Sequence, residues 1–230
     1  MKTLKLKTYI VLIFITSIFV SGGLLGYGIY FAITRPEDMT DARYIFASIF
    51  VLFVLGPPIF MTITYYLEEF KKSVTLYENG NKIVIKNNNE EFIINRAEIL
   101  DSYHVKVDEH NGLRYKFSEF EYILIVLKGG RRVFITNFLC KPDKILTFLR
   151  LKPNMIYTNV PFINRRLGEQ YLTPKEFDKK VNEFSEIFRD KKEEDLIKIC
   201  KQTNVYADYA IRAARQQLRE RCGNTTANKS

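Results

Sequence analysis

The chain has 230 residues and a net charge of +9, and 47% of its residues are hydrophobic. This length leaves room for one domain of ordinary size and an appendage after an apolar N-terminal region. Residues 1–70 hold five basic and five acidic residues, so the positive excess lies in residues 71–230. The three cysteines are odd in number and widely spaced, so we expect neither a disulfide framework nor a cysteine metal cluster.

Two uncharged apolar runs, 8–34 and 44–67, dominate the first part of the chain. Each is long enough to cross a hydrocarbon core of about 30 Å, which needs about 20 apolar residues in a helix. Lysines before the first run, and Lys71 and Lys72 after the second, place both termini in the cytoplasm by the positive-inside rule. We therefore expect a multi-pass protein of the bacterial inner (cytoplasmic) membrane, with a transmembrane hairpin over 1–70 and spans at about 8–33 and 44–67.

Glycine and proline mark two places inside these runs. Gly22 and Gly26 have the spacing that lets membrane helices approach closely, and either the second span or a second copy is the partner. Gly56, Pro57 and Pro58 predict a kink near the middle of the second span. No ionisable residue lies in either run, which favours an anchor over an ion or proton pathway. A cleaved signal peptide is the alternative for the first run, although its apolar stretch is too long for one.

From Ser73 to Thr136 the hydrophobic period changes to two, and turn pairs such as Asn79-Gly80 and Gly129-Gly130 recur. An amphipathic helix beginning at Pro142 follows. The predicted strands are 73–78, 82–86, 91–95, 99–107, 113–118, 120–128 and 131–136.

Seven strands followed by one amphipathic helix, with the stretch EFIINRAEILDSYHV and the hairpin LKGGRRVFITN, resemble the pleckstrin-homology (PH) superfold. The closest resemblance is to small bacterial PH-like domains that follow paired membrane helices. It covers residues 73 to about 152 and implies two nearly orthogonal sheets closed by the helix. The tryptophan characteristic of that helix is absent, and Phe148 is the candidate to fill its place.

A helical tail is expected after the PH-like domain. Thr173-Pro174-Lys175-Glu176 is a capping box, and apolar residues recur behind it at helical spacing. The predicted fold class is an α+β membrane protein with a two-helix transmembrane hairpin, a seven-stranded PH-like β-barrel or sandwich with its C-terminal helix, and a short helical tail. The predicted domains are 1–70 (transmembrane hairpin), 71–152 (PH-like β domain), 153–172 (linker), 173–222 (helical tail) and 223–230 (disordered).

Residues 128–166 carry nine basic side chains against one acid. Near an anionic leaflet each basic residue can contribute about 1 kcal/mol to binding, so this stretch is a candidate lipid-facing surface. A solvated basic face without a ligand is the alternative interpretation. The candidate lipid-facing residues are Lys71, Lys72, Lys128, Arg131, Arg132, Lys141, Lys144, Arg165 and Arg166.

No catalytic pattern is visible. His104 and His110 have no cysteine or third histidine nearby, so we expect no metal and no cofactor. Gly129-Gly130 precedes a strand instead of a helix, which is not how a nucleotide-binding loop is built. The alternating aromatic residues indicate a core and not a nucleic-acid surface. We therefore expect neither an enzyme nor a nucleic-acid-binding protein.

The sequence thus predicts a non-enzymatic, membrane-anchored scaffold or interaction module that presents a PH-like domain at the cytoplasmic face. Its expected partner is a protein, bound through the PH-like domain or the helical tail. One alternative is peripheral recognition of anionic lipid by the basic face 128–166. The other is an accessory subunit of a membrane enzyme or transporter.

Overall fold

In a computed structural model, the chain is described over residues 2–6, scattered positions between 9 and 34, and residues 42–77, 82–87, 90–108, 117 and 119–227. These residues form an α+β fold with eight strands and five α-helices. The strands are β1 (Lys2–Lys5), β2 (Lys72–Tyr77), β3 (Lys82–Asn87), β4 (Glu90–Asn95), β5 (Ile99–Val107), β6 (Tyr122–Leu127), β7 (Arg132–Thr136) and β8 (Asn154–Thr158). The helices are α1 (Ala42–Glu69), α2 (Pro142–Leu149), α3 (Pro174–Phe188), α4 (Glu193–Lys201) and α5 (Asp208–Ala227).

Two four-stranded sheets form the barrel. The first has the order β1-β2-β3-β4 and the second the order β7-β6-β5-β8. Alternating Val, Leu and Ile side chains of both sheets share one buried core, which Ile145 and Leu149 of α2 close. Phe148, expected in the place of the missing tryptophan, packs against this core.

Strand β1 lies before the first apolar run, at the start of the chain. It pairs antiparallel with β2, with Lys2 opposite Leu76 and Lys5 opposite Ser73. Sequence analysis assigned these lysines to a membrane flank and began the sheet at Ser73, which was wrong. The strand predicted at 113–118 lies outside the described residues except for Phe117, which is helical.

The predicted transmembrane hairpin is wrong. None of the helices formed by the described residues combines the length and the apolarity that crossing a membrane requires. This finding overturns the transmembrane fold class and the multi-pass inner-membrane localisation, and the described residues show no membrane anchor. The span predicted at 8–33 lies largely outside the described residues, and the span predicted at 44–67 falls within α1.

The C-terminal part of α1 shows the physical reason, since its apolar side chains enter a protein core. Met61 and Tyr65 are fully buried against the outer face of the second sheet. The Tyr65 ring packs edge-on against Phe120 at 5.3 Å, and its hydroxyl donates to the carbonyl of Pro161 at 2.7 Å. An apolar run indicates that its side chains are buried in apolar surroundings, and here the second sheet provides part of those surroundings.

The predicted glycine and proline features stay predictions. Pro57 and Pro58 lie inside α1, which is a single helix through them. No described atom lies within 4 Å of where a Cβ would stand on Gly22, Gly26 or Gly56.

The tail helices α3, α4 and α5 have a core of their own. Phe184, Phe188 and Leu196 pack against alanines of α5, among them Ala210. The predicted capping box is confirmed: the Thr173 hydroxyl accepts from the Glu176 amide, and the Glu176 carboxylate accepts from the Thr173 amide at 2.8 Å.

Replacing Tyr65→Ala should lower the free energy of unfolding by about 3–5 kcal/mol, because the buried ring would leave a cavity and the Pro161 carbonyl would lose its donor. Leu67→Ala is the matched control on the same helix, since Leu67 is 64% exposed, and should change stability by about 0.5 kcal/mol or less. Urea denaturation followed by circular dichroism measures both. Equal effects of the two substitutions would contradict the placement of α1 in the core.

Candidate functional site

The nine predicted lipid-facing residues fall into three groups in the structure. Lys72 and Arg132 are buried. Arg131, Arg165 and Arg166 form ion pairs with Glu90, Glu68 and Asp208, respectively. The remaining four are exposed and have no ion-pair partner among the described residues: Lys71, Lys128, Lys141 and Lys144.

In the first group, Lys72 forms an ion pair that holds the end of α1 against the edge of β7. The Lys72 ammonium lies 3.0 Å from the Glu68 carboxylate and 3.2 Å from that of Glu69, and it donates to the Phe134 carbonyl at 3.0 Å. The other Glu69 oxygen accepts from the Thr136 amide at 2.6 Å. Phe134 and Thr136 are alternate residues on the free edge of β7. The pair therefore satisfies backbone groups that would otherwise be exposed at a sheet edge.

Burial and charge oppose each other in this pair. Complete burial raises the pKa of Glu69, against the charge of Lys72 and the Thr136 amide. Burial alone would lower the pKa of Lys72, but the Glu69 and Glu68 carboxylates outweigh it and raise that pKa. Lys72 therefore stays charged, and it is what makes the buried Glu69 carboxylate tolerable.

Arg132 joins the tail to the barrel. Its guanidinium donates to the Glu169 carboxylate at 3.0 Å, to the Thr203 carbonyl at 3.1 Å, and to the carbonyls of Arg165 and Tyr206. Burial lowers the pKa of Arg132 and raises the pKa of Glu169, and each residue's charge opposes the shift of the other. A planar fork of donors suits several acceptors held at once, which is why arginine fits here.

Backbone contacts extend this junction along the β6–β7 hairpin. The Arg132 amide donates to the Val205 carbonyl at 2.6 Å, and the Ala207 amide donates to the Gly130 carbonyl at 2.9 Å. Gly130 has a φ of +77°, and a Cβ there would collide with Ala210 of α5. The tail thus covers the part of the β7 edge that α1 leaves open.

A cleft of about 630 Å³ lies on the opposite side of the second sheet, between α2 and the β5–β8 edge. Its walls include His104, Glu121, Thr147 and Met155. The buried His104 ring contacts the Glu121 carboxylate at 3.1 Å, and its other nitrogen lies 3.9 Å from Asp143. His110 lies outside the described residues, and within the described ranges no group of three His, Cys, Asp or Glu side chains could hold a metal ion.

Three cations surround this cleft: Lys106, Arg150 and Lys152. None forms an ion pair with another described residue. Arg150 ends α2 in a left-handed conformation, with a φ of 50°. Lys106 comes from β5, and its ammonium lies 5.3 Å from the centre of the Tyr157 ring.

Sequence analysis missed the cleft because it treated 153–172 as an irregular linker. The short β8 within that stretch brings Met155 and Tyr157 beside β5. The available signal was the run of Met, Ile, Tyr and Thr, which are common in strands, although the five residues of β8 are too few to separate a strand from a loop by period.

The profile of the PH domain family matches residues 2–148. The chain belongs to the PH domain family. The match begins at β1 and ends in α2, so it includes both sheets apart from β8, together with the closing helix and α1. PH domains as a class are modules for protein interaction or lipid binding. No curated protein and no solved structure matches the chain.

Replacing Lys72→Met should lower the free energy of unfolding by about 3–5 kcal/mol at pH 7, because Glu69 would remain buried without its cation. The pKa of Glu69 in the folded variant would rise further above 4.5. A carboxyl whose pKa is raised on folding contributes stability when it is protonated. The loss in the free energy of unfolding caused by Lys72→Met should therefore become smaller as the pH falls towards 4.5.

Thermal and urea unfolding between pH 4.5 and 8 measure this dependence. Lys71→Met is the control, because Lys71 is the exposed neighbour in sequence. A deficit that does not vary with pH, or an equal effect of Lys71→Met, would contradict the assignment.

Proposed function

We propose that the protein is a non-catalytic interaction module that binds a protein partner at the side of its PH domain where α2 meets β8. The single observation behind this proposal is the open cleft, where three cations have no ion-pair partner among the residues that the structure describes. The other large surfaces of the second sheet are already used, since α1 lies on its outer face and the tail covers the β7 edge.

The composition of the cleft supports binding rather than a reaction. Concave surfaces that combine apolar side chains with a few charged groups are typical of recognition sites. Met155 and Leu151 supply the apolar area, and the cations supply orientation. Its titratable pair, His104 and Glu121, is internally hydrogen-bonded, and no nucleophile with an adjacent base is evident in it.

A photo-crosslinking residue placed at Thr147, in the cleft, should give a discrete protein adduct in cells of the native source. The same residue at Asp190, which is exposed on the turn between α3 and α4, is the control and should not give that adduct. Gel shifts followed by mass spectrometry identify the products. Identical adducts at both positions, or none at Thr147, would refute the proposal.

Recognition of anionic lipid is the second candidate function. Lys141 and Lys144, at the start of α2, are exposed and have no ion-pair partner among the described residues, and Lys71 and Lys128 share this property. This support is narrower than the sequence suggested. The five other basic residues proposed for lipid contact are bound to acidic side chains of the protein itself.

The double variant Lys141→Gln/Lys144→Gln should weaken binding to phosphatidylserine-containing vesicles roughly thirtyfold, because each lysine contributes about 1 kcal/mol at such a surface. Flotation of the full chain with and without phosphatidylserine, at low and high salt, measures the effect. Lys175→Gln/Lys201→Gln removes the same charge from the exposed tail and should change little. Binding that ignores anionic lipid or salt would exclude this second function.

A further inference from the structure

Strand β8 ends the second sheet, and its outer edge is open in the part of the chain that the structure describes. Its inner edge pairs in parallel with β5, where the Asp108 amide donates to the Thr158 carbonyl at 3.1 Å. Backbone groups of successive strand residues point to opposite edges. Ile156 and Thr158 therefore turn towards β5, and Met155 and Tyr157 turn their N–H and C=O groups outwards.

The other three sheet edges are protected, two of them by charged residues and one by covering segments of the chain. Strand β1 carries Lys2 and Lys5, and β4 begins with Glu90 and Glu91. The edge of β7 is covered by the end of α1 and by the tail. Strand β8, with the sequence Asn-Met-Ile-Tyr-Thr, contains no charge and no proline. Charged residues and proline are the usual means of keeping an edge strand from pairing, so β8 is free to accept another strand.

The side chains beside this edge favour a partner with particular chemistry. Met155 and Tyr157 are 41% and 55% exposed, which is unusual for large apolar side chains on adjacent positions of one face. Each lies across from a residue of β5, Met155 from His104 and Tyr157 from Lys106. An added strand would therefore meet apolar contacts and a cation on the α2 side of the sheet.

The local charge is complementary to an acidic segment. Lys106, Arg150 and Lys152 have no ion-pair partner among the described residues, whereas Glu121 is occupied by His104. Asp143 is the one other acid in the cleft wall, and its side chain is 77% exposed. Unpaired cations next to a sheet edge attract acidic side chains and fix their register.

We propose that the outer edge of β8 binds an extended acidic segment of a partner protein, which adds to the second sheet as its fifth strand. This inference rests on the proposed function and specifies the partner's chemistry. Backbone pairing supplies affinity, and alternate acidic and apolar side chains supply specificity on the α2 side. A second copy of this chain would set the same three cations against each other. A lipid headgroup has no repeating backbone donors and acceptors to match the edge.

The test begins with a display library of seven-residue segments selected on the full chain. Selected peptides should carry acidic residues at alternate positions, with apolar residues among them. Fluorescence polarisation then gives the affinity of one selected peptide for each protein variant. Met155→Pro removes an outward N–H without removing any donor of the β5–β8 ladder, and Met155→Ala is its control because it keeps that N–H. The proline variant should bind about tenfold more weakly than the alanine variant.

The charge requirement has a separate test. Lys106→Gln/Lys152→Gln should weaken peptide binding about tenfold and reduce its salt dependence, whereas Lys175→Gln/Lys201→Gln, on the tail, should not.

A second peptide measurement does not depend on how any variant folds. N-methylation of the peptide on alternate residues should abolish binding to the unaltered protein in one register and spare it in the other, because only one edge of an added strand pairs with β8.

Three outcomes would overturn the inference. The first is a library that yields no acidic segment. The second is a peptide affinity that neither Met155→Pro nor N-methylation changes. The third is a dimer, detected by sedimentation equilibrium, that dissociates in the Met155→Pro variant. Crosslinks at Thr147 together with any of these results would reject strand addition while leaving a protein partner in place. Failure of both experiments would reject the proposed function as well.

Discussion

The buried pair of Glu69 and Lys72 is the constraint on which the arrangement of the chain depends. Two charges are removed from water, which is costly unless every remaining hydrogen-bonding position is used. The Thr136 amide and the Phe134 carbonyl each provide one such position, and both are within reach only when the end of α1 lies on the edge of β7. That placement sets Tyr65, one turn earlier on α1, against the outer face of the second sheet.

Strand β7 consequently serves as a common support for parts of the chain that lie far apart in sequence. Its C-terminal end receives α1, and its N-terminal end, through Arg132, receives the tail. Lys72 and Arg132, two of the basic residues that the sequence suggested for lipid contact, are buried in these two junctions. The surface on the far side of the second sheet, where β8 lies beside α2, holds cations that form no ion pair within the described residues.

The sequence predicts those parts of the fold that local pattern controls. The alternation at 82–86, 91–95, 99–107 and 131–136 corresponds to β3, β4, β5 and β7, and the capping box at Thr173 starts α3. Partners distant in sequence could not be predicted. The apolar run at 44–67 indicated burial but not that Tyr65 is buried by Phe120. The charge count placed Arg132 on the surface, because its ion-pair partner Glu169 is distant in sequence and no local pattern indicates the pair.

The pairing of β1 with β2 has a consequence for how the barrel assembles. Bringing Lys5 to Ser73 in an unfolded chain costs about 4 kcal/mol of loop-closure entropy. The pairing of a four-residue strand with β2 compensates for this cost. Strands β2 to β7 and helix α2 are close neighbours along the chain, so their contacts form at a much lower entropic cost. We therefore expect β1 to join its sheet after strands β2 to β7 have formed. During synthesis β1 is made long before β2, so it can pair only after β2 has been made.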